Sequence, residues 1–158
     1  MEKDEYLCCS ECAVRYFKEG YNCAQSVIGP FHKDINMEFE EAMKLASSFG
    51  GGMGRLREVC GAMTASFMII GIISGYTSPV DDNAKTEHYR LVQDFASKFK
   101  SKFGTIICRE LLELPQGADG HVPESRTLSY YEKRPCDKFI GYAAEILENY
   151  LRETGHED

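Results

Sequence analysis

The chemistry available to this chain is sulphur chemistry. Its 158 residues hold seven cysteines: Cys8, Cys9, Cys12, Cys23, Cys60, Cys108 and Cys136. Four of them stand where a helix is expected to begin. Cys23 follows Asn22, a favoured N-cap, with Gln25 placed as its capping-box partner. Cys60 lies where a glycine-rich run enters an apolar segment. Cys108 comes three residues after the candidate cap Thr105, and Cys136 directly follows Pro135, which favours a first helical turn. A helix start presents unpaired N–H groups and a partial positive charge. Both favour thiolate over thiol, and thiolate is the form that attacks disulfides and binds metals. The expectation is therefore a lowered pKa at Cys23, Cys60, Cys108 and Cys136. Core packing is the competing reading for each, because free cysteine is buried as readily as a small hydrophobe. Their wide separations match no compact zinc motif.

A second group, Cys8-Cys9-Ser10-Glu11-Cys12, contains a CxxC that a helix would gather on one face, as a redox pair or half of a metal site. Ala13 rather than histidine follows Cys12, so the haem-attachment pattern is absent. The run Gly50-Gly51-Gly52-Met53-Gly54-Arg55 lacks the Lys-Ser/Thr of a phosphate loop. It is better read as backbone folding tightly or approaching a thiol closely. Arg55, Arg57 and Arg109 are cations near candidate thiolates. Tyr21, Tyr130 and Tyr131 are pocket or packing residues. Of His32, His88, His121 and His156, only His88 is weighed as a ligand, and the others read as surface or capping residues. No Ser-His-Asp set and no paired-carboxylate motif stands out.

The elements that must position these thiols are helical. Apolar residues recur at helical spacing over 6–18, which ends at Gly20, after Asn22, and over 37–48. An apolar helix follows from Cys60 to Ile73. A long amphipathic one runs from Asp82 or Asn83 to Phe103, with Tyr89, Val92, Phe95, Phe99 and Phe103 on its stripe. A short helix spans 106–112. An irregular excursion over 114–134 precedes a last helix, striped by Cys136, Phe139, Ile140, Ala143, Leu147, Tyr150 and Leu151. The fold class is all-α: one domain over 1–158, a helical bundle of about six or seven helices with a long irregular loop before the C-terminal helix.

Composition narrows the function. A net charge of −7 argues against nucleic acid or an anionic membrane as partner. The Cys60–Ile73 stretch is too short to span a bilayer, so no membrane insertion is expected, although part of this helix could form a homodimer face. Met1 to Glu5 is polar and no signal-like segment follows, which points to reducing cytoplasm. There, several thiols mean metal binding, redox chemistry or packing rather than a disulfide framework.

The ordered segments Gly20-Tyr21-Asn22-Cys23-Ala24-Gln25-Ser26-Val27, Phe49 to Gly54, Glu58-Val59-Cys60-Gly61-Ala62-Met63-Thr64, Phe103 to Leu112, and Cys136 together resemble the redox-active proteins named for their cysteine pattern, C_GCAxxG_C_C. The resemblance spans about 20–151. It leaves an N-terminal helix with extra cysteines, 1–19, outside the pattern, and it has Ala65 where the family carries a second glycine. The resemblance implies a helical redox protein with four functional cysteines, here Cys23, Cys60, Cys108 and Cys136. The family often neighbours transporter genes, and the iron–sulphur portion of split-Soret cytochromes is similar. The leading expectation is convergence of those four as thiolate ligands of an iron–sulphur cluster, or another soft metal such as zinc, for electron transfer. The alternatives are a metal-free dithiol/disulfide oxidoreductase and a cysteine-based sensor or binding module associated with a transporter. The expected partner is a redox protein, a small thiol or another electron donor.

Overall fold

Capping chemistry sets where the helices begin. The structure is a computed structural model that describes residues 8–155. Helix α1 (Cys9–Lys18) starts at an N-cap, Cys8, whose sulphur accepts the Glu11 N–H. The expected beginning at Tyr6 lies outside the described residues, as does His156. Helix α2 (Cys23–Ile28) opens with the anticipated capping box: Asn22 Oδ1 accepts from the Gln25 N–H at 2.8 Å, and Gln25 Oε1 accepts from the Asn22 N–H at 3.2 Å. Helix α3 (Phe39–Ala46) runs into a 3₁₀ turn, Ser47–Phe49. A single glycine-rich turn, α4 (Gly50–Met53), leads through Cys60 into the apolar α5 (Gly61–Ser74). Then come α6 (Asp82–Phe103), α7 (Cys108–Leu111), α8 (Leu128–Lys133) and α9 (Cys136–Glu153). The fold is all-α. The described residues contain no strand, only an isolated antiparallel bridge between Val59 and Ile107.

The core lies where α9 meets α1, α2 and α5, and α2 packs along α5. The α9 stripe is as expected: Phe139, Ile140, Ala143, Leu147 and Leu151 are buried, with Tyr150 at its edge. Phe17, Phe31, Met63, Ile69, Phe95 and Phe99 are sealed in the same cluster. Each such side chain contributes roughly 1.5–3 kcal/mol when withdrawn from water.

Three local expectations change. The α6 stripe packs from Val92 onward, with Phe95 and Phe99 buried. Tyr89 is half exposed and pairs its hydroxyl with Tyr76 instead. Thr105 does not cap the short helix. Its hydroxyl accepts from the Ile107 N–H and donates to Glu110, so Ile107 becomes the N-cap. The excursion over 114–134 is partly helical, because Thr127 accepts from the Tyr130 N–H and starts α8. A hydroxyl bonding its own backbone decides both cases, and apolar periodicity carries no record of it.

Candidate thiol site

All four cysteines stand at helix starts. Cys23, Cys108 and Cys136 are the first residues of α2, α7 and α9, and Cys60 is the N-cap of α5. Four distant chain segments thus deliver one thiol each. Cys60, Cys108 and Cys136 are buried, while Cys23 is only half-buried.

The scaffold between them is unusual. Gly51, Gly52, Met53, Gly54 and Arg55 all have positive φ, between 57° and 71°, forming a left-handed turn. Arg57 follows at φ 62°. Left-handed backbone costs a residue with a Cβ roughly 1–2 kcal/mol, so Met53, Arg55 and Arg57 are held there by their surroundings. The turn closes with the Arg57 N–H on Gly51 O at 3.2 Å and the Glu58 N–H on Gly52 O at 2.9 Å. It also brings backbone against a thiol: a Cβ on Gly52 would stand 2.7 Å from Cys108 Cβ.

The bridge then ties Cys60 to Cys108. The Cys60 N–H donates to Ile106 O at 2.8 Å, and the Cys108 N–H donates to Glu58 O at 2.6 Å. Gly61 joins the other side. A Cβ there would lie 2.8 Å from Phe49 O and 3.1 Å from Cys23 Cβ, so the α2 and α5 starts meet only because the position is bare. Farther along α5, Ala65 is fully buried.

The thiols act on one another. Cys23 and Cys136 share a hydrogen bond that favours thiolate at Cys136 and thiol at Cys23. Cys136 is consequently held below the usual thiol range, first by Cys23 and then, against burial, by the charges of Arg134, Arg126 and Arg57. Cys23 lies well above that range, through the same bond, burial and the neighbouring charges of Cys136, Cys60 and Cys108. Burial pushes Cys60 up to about 12, although the N–H groups of Ala62 and Met63 at the α5 start pull the other way. Cys108 is also raised by burial, partly offset by Arg57. The helix-start placement therefore holds at all four positions, while the expected lowering of pKa holds only at Cys136. Burial and like-charge repulsion outweigh the helix ends at the other three.

The cations are the part that sequence reasoning only half found. Arg57, 6% exposed, extends Nη1 to Cys108 Sγ at 3.6 Å and holds Asp119 through Nη2 at 2.8 Å. Burial opposes its charge, but Cys108 and Asp119 more than restore it. Arg55 binds Gly120 O and Asp119, and Arg109 turns to Glu58. Arg126 and Arg134 were missed because they lie in the excursion read as irregular. Arg126 donates to Phe17 O and Tyr21 O at 3.2 and 3.1 Å and lies over the rings of Phe17, Tyr130 and Tyr131. Tyr130 belongs to the site, since its hydroxyl is raised by burial and feels the charges of Cys136 and Cys23. Tyr131 instead donates to the α1 carbonyls of Phe17 and Lys18.

Cys8, Cys9 and Cys12 form a separate group on α1. Cys9 is pushed up to about 12 by burial, with Glu148 and Asp34 adding to it, so Cys9 itself holds its proton. His88 stands beside Tyr76, away from the thiols.

Four thiols at helix starts, with one of them lowered in pKa and arginines beside them, have the chemistry a cysteine-based redox site requires. The sequence profile of the family described as "Putative redox-active protein (C_GCAxxG_C_C)" matches residues 21–150. The chain belongs to that family. No curated protein and no solved structure matches it. Among the described residues no helix is long and apolar enough to cross a membrane.

Proposed function

We propose that the protein is a thiol–disulfide redox protein in which Cys23 and Cys136 cycle between dithiol and disulfide. The observation that carries this reading is the placement of Cys23 and Cys136 at the starts of two helices that pack together, α2 and α9, where each thiol shifts the other's pKa in the opposite direction. A thiolate kept beside a protonated partner is the resting state of a dithiol couple. Cys23, the more exposed of the two, receives the partner disulfide. Cys136 takes the Cys23 proton, and Cys23 sulphur attacks, forming a mixed disulfide and expelling one thiolate. Cys136 then passes its proton to the departed thiolate, attacks Cys23 Sγ and expels the second thiolate. The protein dithiol loses two electrons, and the partner disulfide gains them as one thiol and one thiolate, the latter taking a proton from water.

A second reading takes Cys23, Cys60, Cys108 and Cys136, which influence one another electrostatically, as ligands of an iron–sulphur cluster or another soft metal. The donor chemistry suits such a group, because the thiols of Cys23, Cys60 and Cys108, raised by their surroundings and by neighbouring sulphurs, would lose their protons to a bound cation. The arrangement suits it less: among the described residues no three His, Cys, Asp or Glu side chains stand as a ligand set for a metal ion.

One preparation separates the two. Protein purified without oxygen is assayed for iron, acid-labile sulphide and zinc, then equilibrated in glutathione redox buffers and mapped for disulfides. A Cys23–Cys136 disulfide forming reversibly in metal-free protein supports the dithiol couple. Stoichiometric iron and sulphide, lost together in Cys60→Ser and Cys108→Ser, would replace it with the cluster.

A further inference from the structure

Beside the thiols lies a recess of about 320 Å³, walled by Asn22, Arg55, Arg57, His121, Arg126 and Tyr130. Its position relative to the sulphurs follows from these walls. Asn22 directly precedes Cys23, Arg57 hydrogen-bonds Cys108, and Arg126 and Tyr130 are both charge-coupled to Cys136. Glu124 is the one carboxylate in the lining, and it is already engaged by Arg134. Asp119 neutralises part of Arg57 and Arg55. Arg126 differs from both: its hydrogen bonds go to backbone carbonyls, and among the described residues no carboxylate pairs with it. A chain of net charge −7 thus keeps three arginines around one small opening next to its thiols.

We propose that this recess seats the carboxylate of a small anionic disulfide and so sets the substrate class of the redox couple. Arg55, Arg57 and Arg126 take the carboxylate, and the substrate's sulphurs then lie against the half-buried Cys23. The exchange is the one already written, with two electrons passing from the Cys23–Cys136 dithiol to the bound disulfide. The inference rests on the dithiol reading but can fail independently of it. Guanidinium groups bind planar carboxylates through paired N–H donors. A volume near the low end for ligand sites fits a molecule of amino-acid to short-peptide size, not a protein loop.

The charge balance makes the test sharp. Without a local cationic subsite, a net negative protein repels anionic reagents and reacts faster with cationic ones. Fully reduced protein is mixed with a dianionic aromatic disulfide (dithiobis-nitrobenzoate), neutral dithiodipyridine and cationic cystamine. Each rate is divided by that of a free small thiol with the same reagent. The expected normalised rate is at least about ten-fold higher for the dianion than for cystamine at low salt. Inorganic phosphate should erase the preference by competing for the arginines, and Arg55→Gln and Arg126→Gln should each lower the anion-to-neutral ratio several-fold. Because Arg126 also braces the fold, the phosphate competition on unaltered protein stands as the independent measurement. A preference for the cationic reagent, or an anion preference that phosphate leaves untouched, overturns the subsite. Failure of neutral dithiodipyridine to produce a Cys23–Cys136 disulfide would instead overturn the dithiol couple itself.

Discussion

Replacing Gly52 with alanine should damage the protein far more than replacing Gly54, although both glycines lie in the same left-handed turn. Their φ values are 67° and 57°, so both variants pay the left-handed cost of roughly 1–2 kcal/mol. About 0.4–1 kcal/mol of that is returned through a less flexible unfolded chain. The two positions differ in what a new methyl meets. At Gly54 the nearest neighbour is Ser48 O at 3.8 Å, an ordinary contact. At Gly52 the methyl would stand 2.7 Å from both Cys108 Cβ and the Glu58 nitrogen, and 2.9 Å from the Arg57 carbonyl carbon. Two of those neighbours are backbone and cannot swing aside, and overpacking of this kind typically costs about 1–3 kcal/mol. The expected losses are about 1 kcal/mol for Gly54→Ala and about 2–4 kcal/mol for Gly52→Ala. Urea unfolding of reduced protein, with equal slopes for both variants, gives the difference directly. Equal losses within about 0.5 kcal/mol would mean that close approach to Cys108 is not why this position is bare, and the argument for the turn as a thiol-positioning device would fall.

Removing the Cys23 donor with Cys23→Ala should raise the Cys136 pKa, because a methyl group offers no hydrogen bond to the Cys136 sulphur. Thiolate absorbance or alkylation rate against pH reads the shift, and an unchanged or lowered value refutes the shared proton. Cys60 carries a raised folded pKa of about 12, so from the unfolded value near 9 up to 12 the folded state holds a proton that the unfolded state has lost. Stability must then fall with rising pH across that window, by up to about 1.4 kcal/mol per pH unit from this group alone. Cys60→Ala should flatten that part of the denaturation profile, and an equally steep profile would exclude Cys60 as its source. Arg57→Gln should raise the Cys108 pKa further by removing the guanidinium 3.6 Å from its sulphur. Selective slowing of Cys108 alkylation, followed by mass mapping, checks it. A Cys23–Cys136 disulfide would close a loop of more than a hundred residues, so the oxidised protein should unfold about 4–5 kcal/mol later than the reduced form. No gain would mean that the bond strains the fold or does not form.

The sequence announced this site wherever chemistry was written into neighbouring residues. Asn22 and Gln25 form a reciprocal cap because their spacing leaves little else to do, and Pro135 marks the α9 start as its fixed φ requires. The α9 stripe was legible because burial repeats at the helical period. What stayed hidden depends on tertiary context. Helix starts alone suggested four lowered thiols, but the bond to Cys136 raised Cys23 and burial raised Cys60 and Cys108, and both are properties of packing. Arg126 sits in a stretch rich in proline and glycine whose path cannot be inferred from periodicity. Its role comes from meeting the C-terminal end of α1 and the ring of Phe17. The glycine run was correctly read as tight backbone. That three residues with side chains, Met53, Arg55 and Arg57, share its left-handed conformation was beyond any residue preference.

The docking of α1 against α9 also bears on how the protein is made. Translation delivers Cys23 long before Cys136, and the first helix has its principal surface waiting for one of the last. Until α9 emerges, Cys23 lacks its proton-sharing partner, and the arginines of the 119–134 region have no buried thiolate to stabilise. A nascent chain therefore carries thiols of ordinary reactivity, with no preassembled couple to trap a passing disulfide. Any chemistry that needs Cys23 and Cys136 together therefore waits until α9 has docked on α1 and α2.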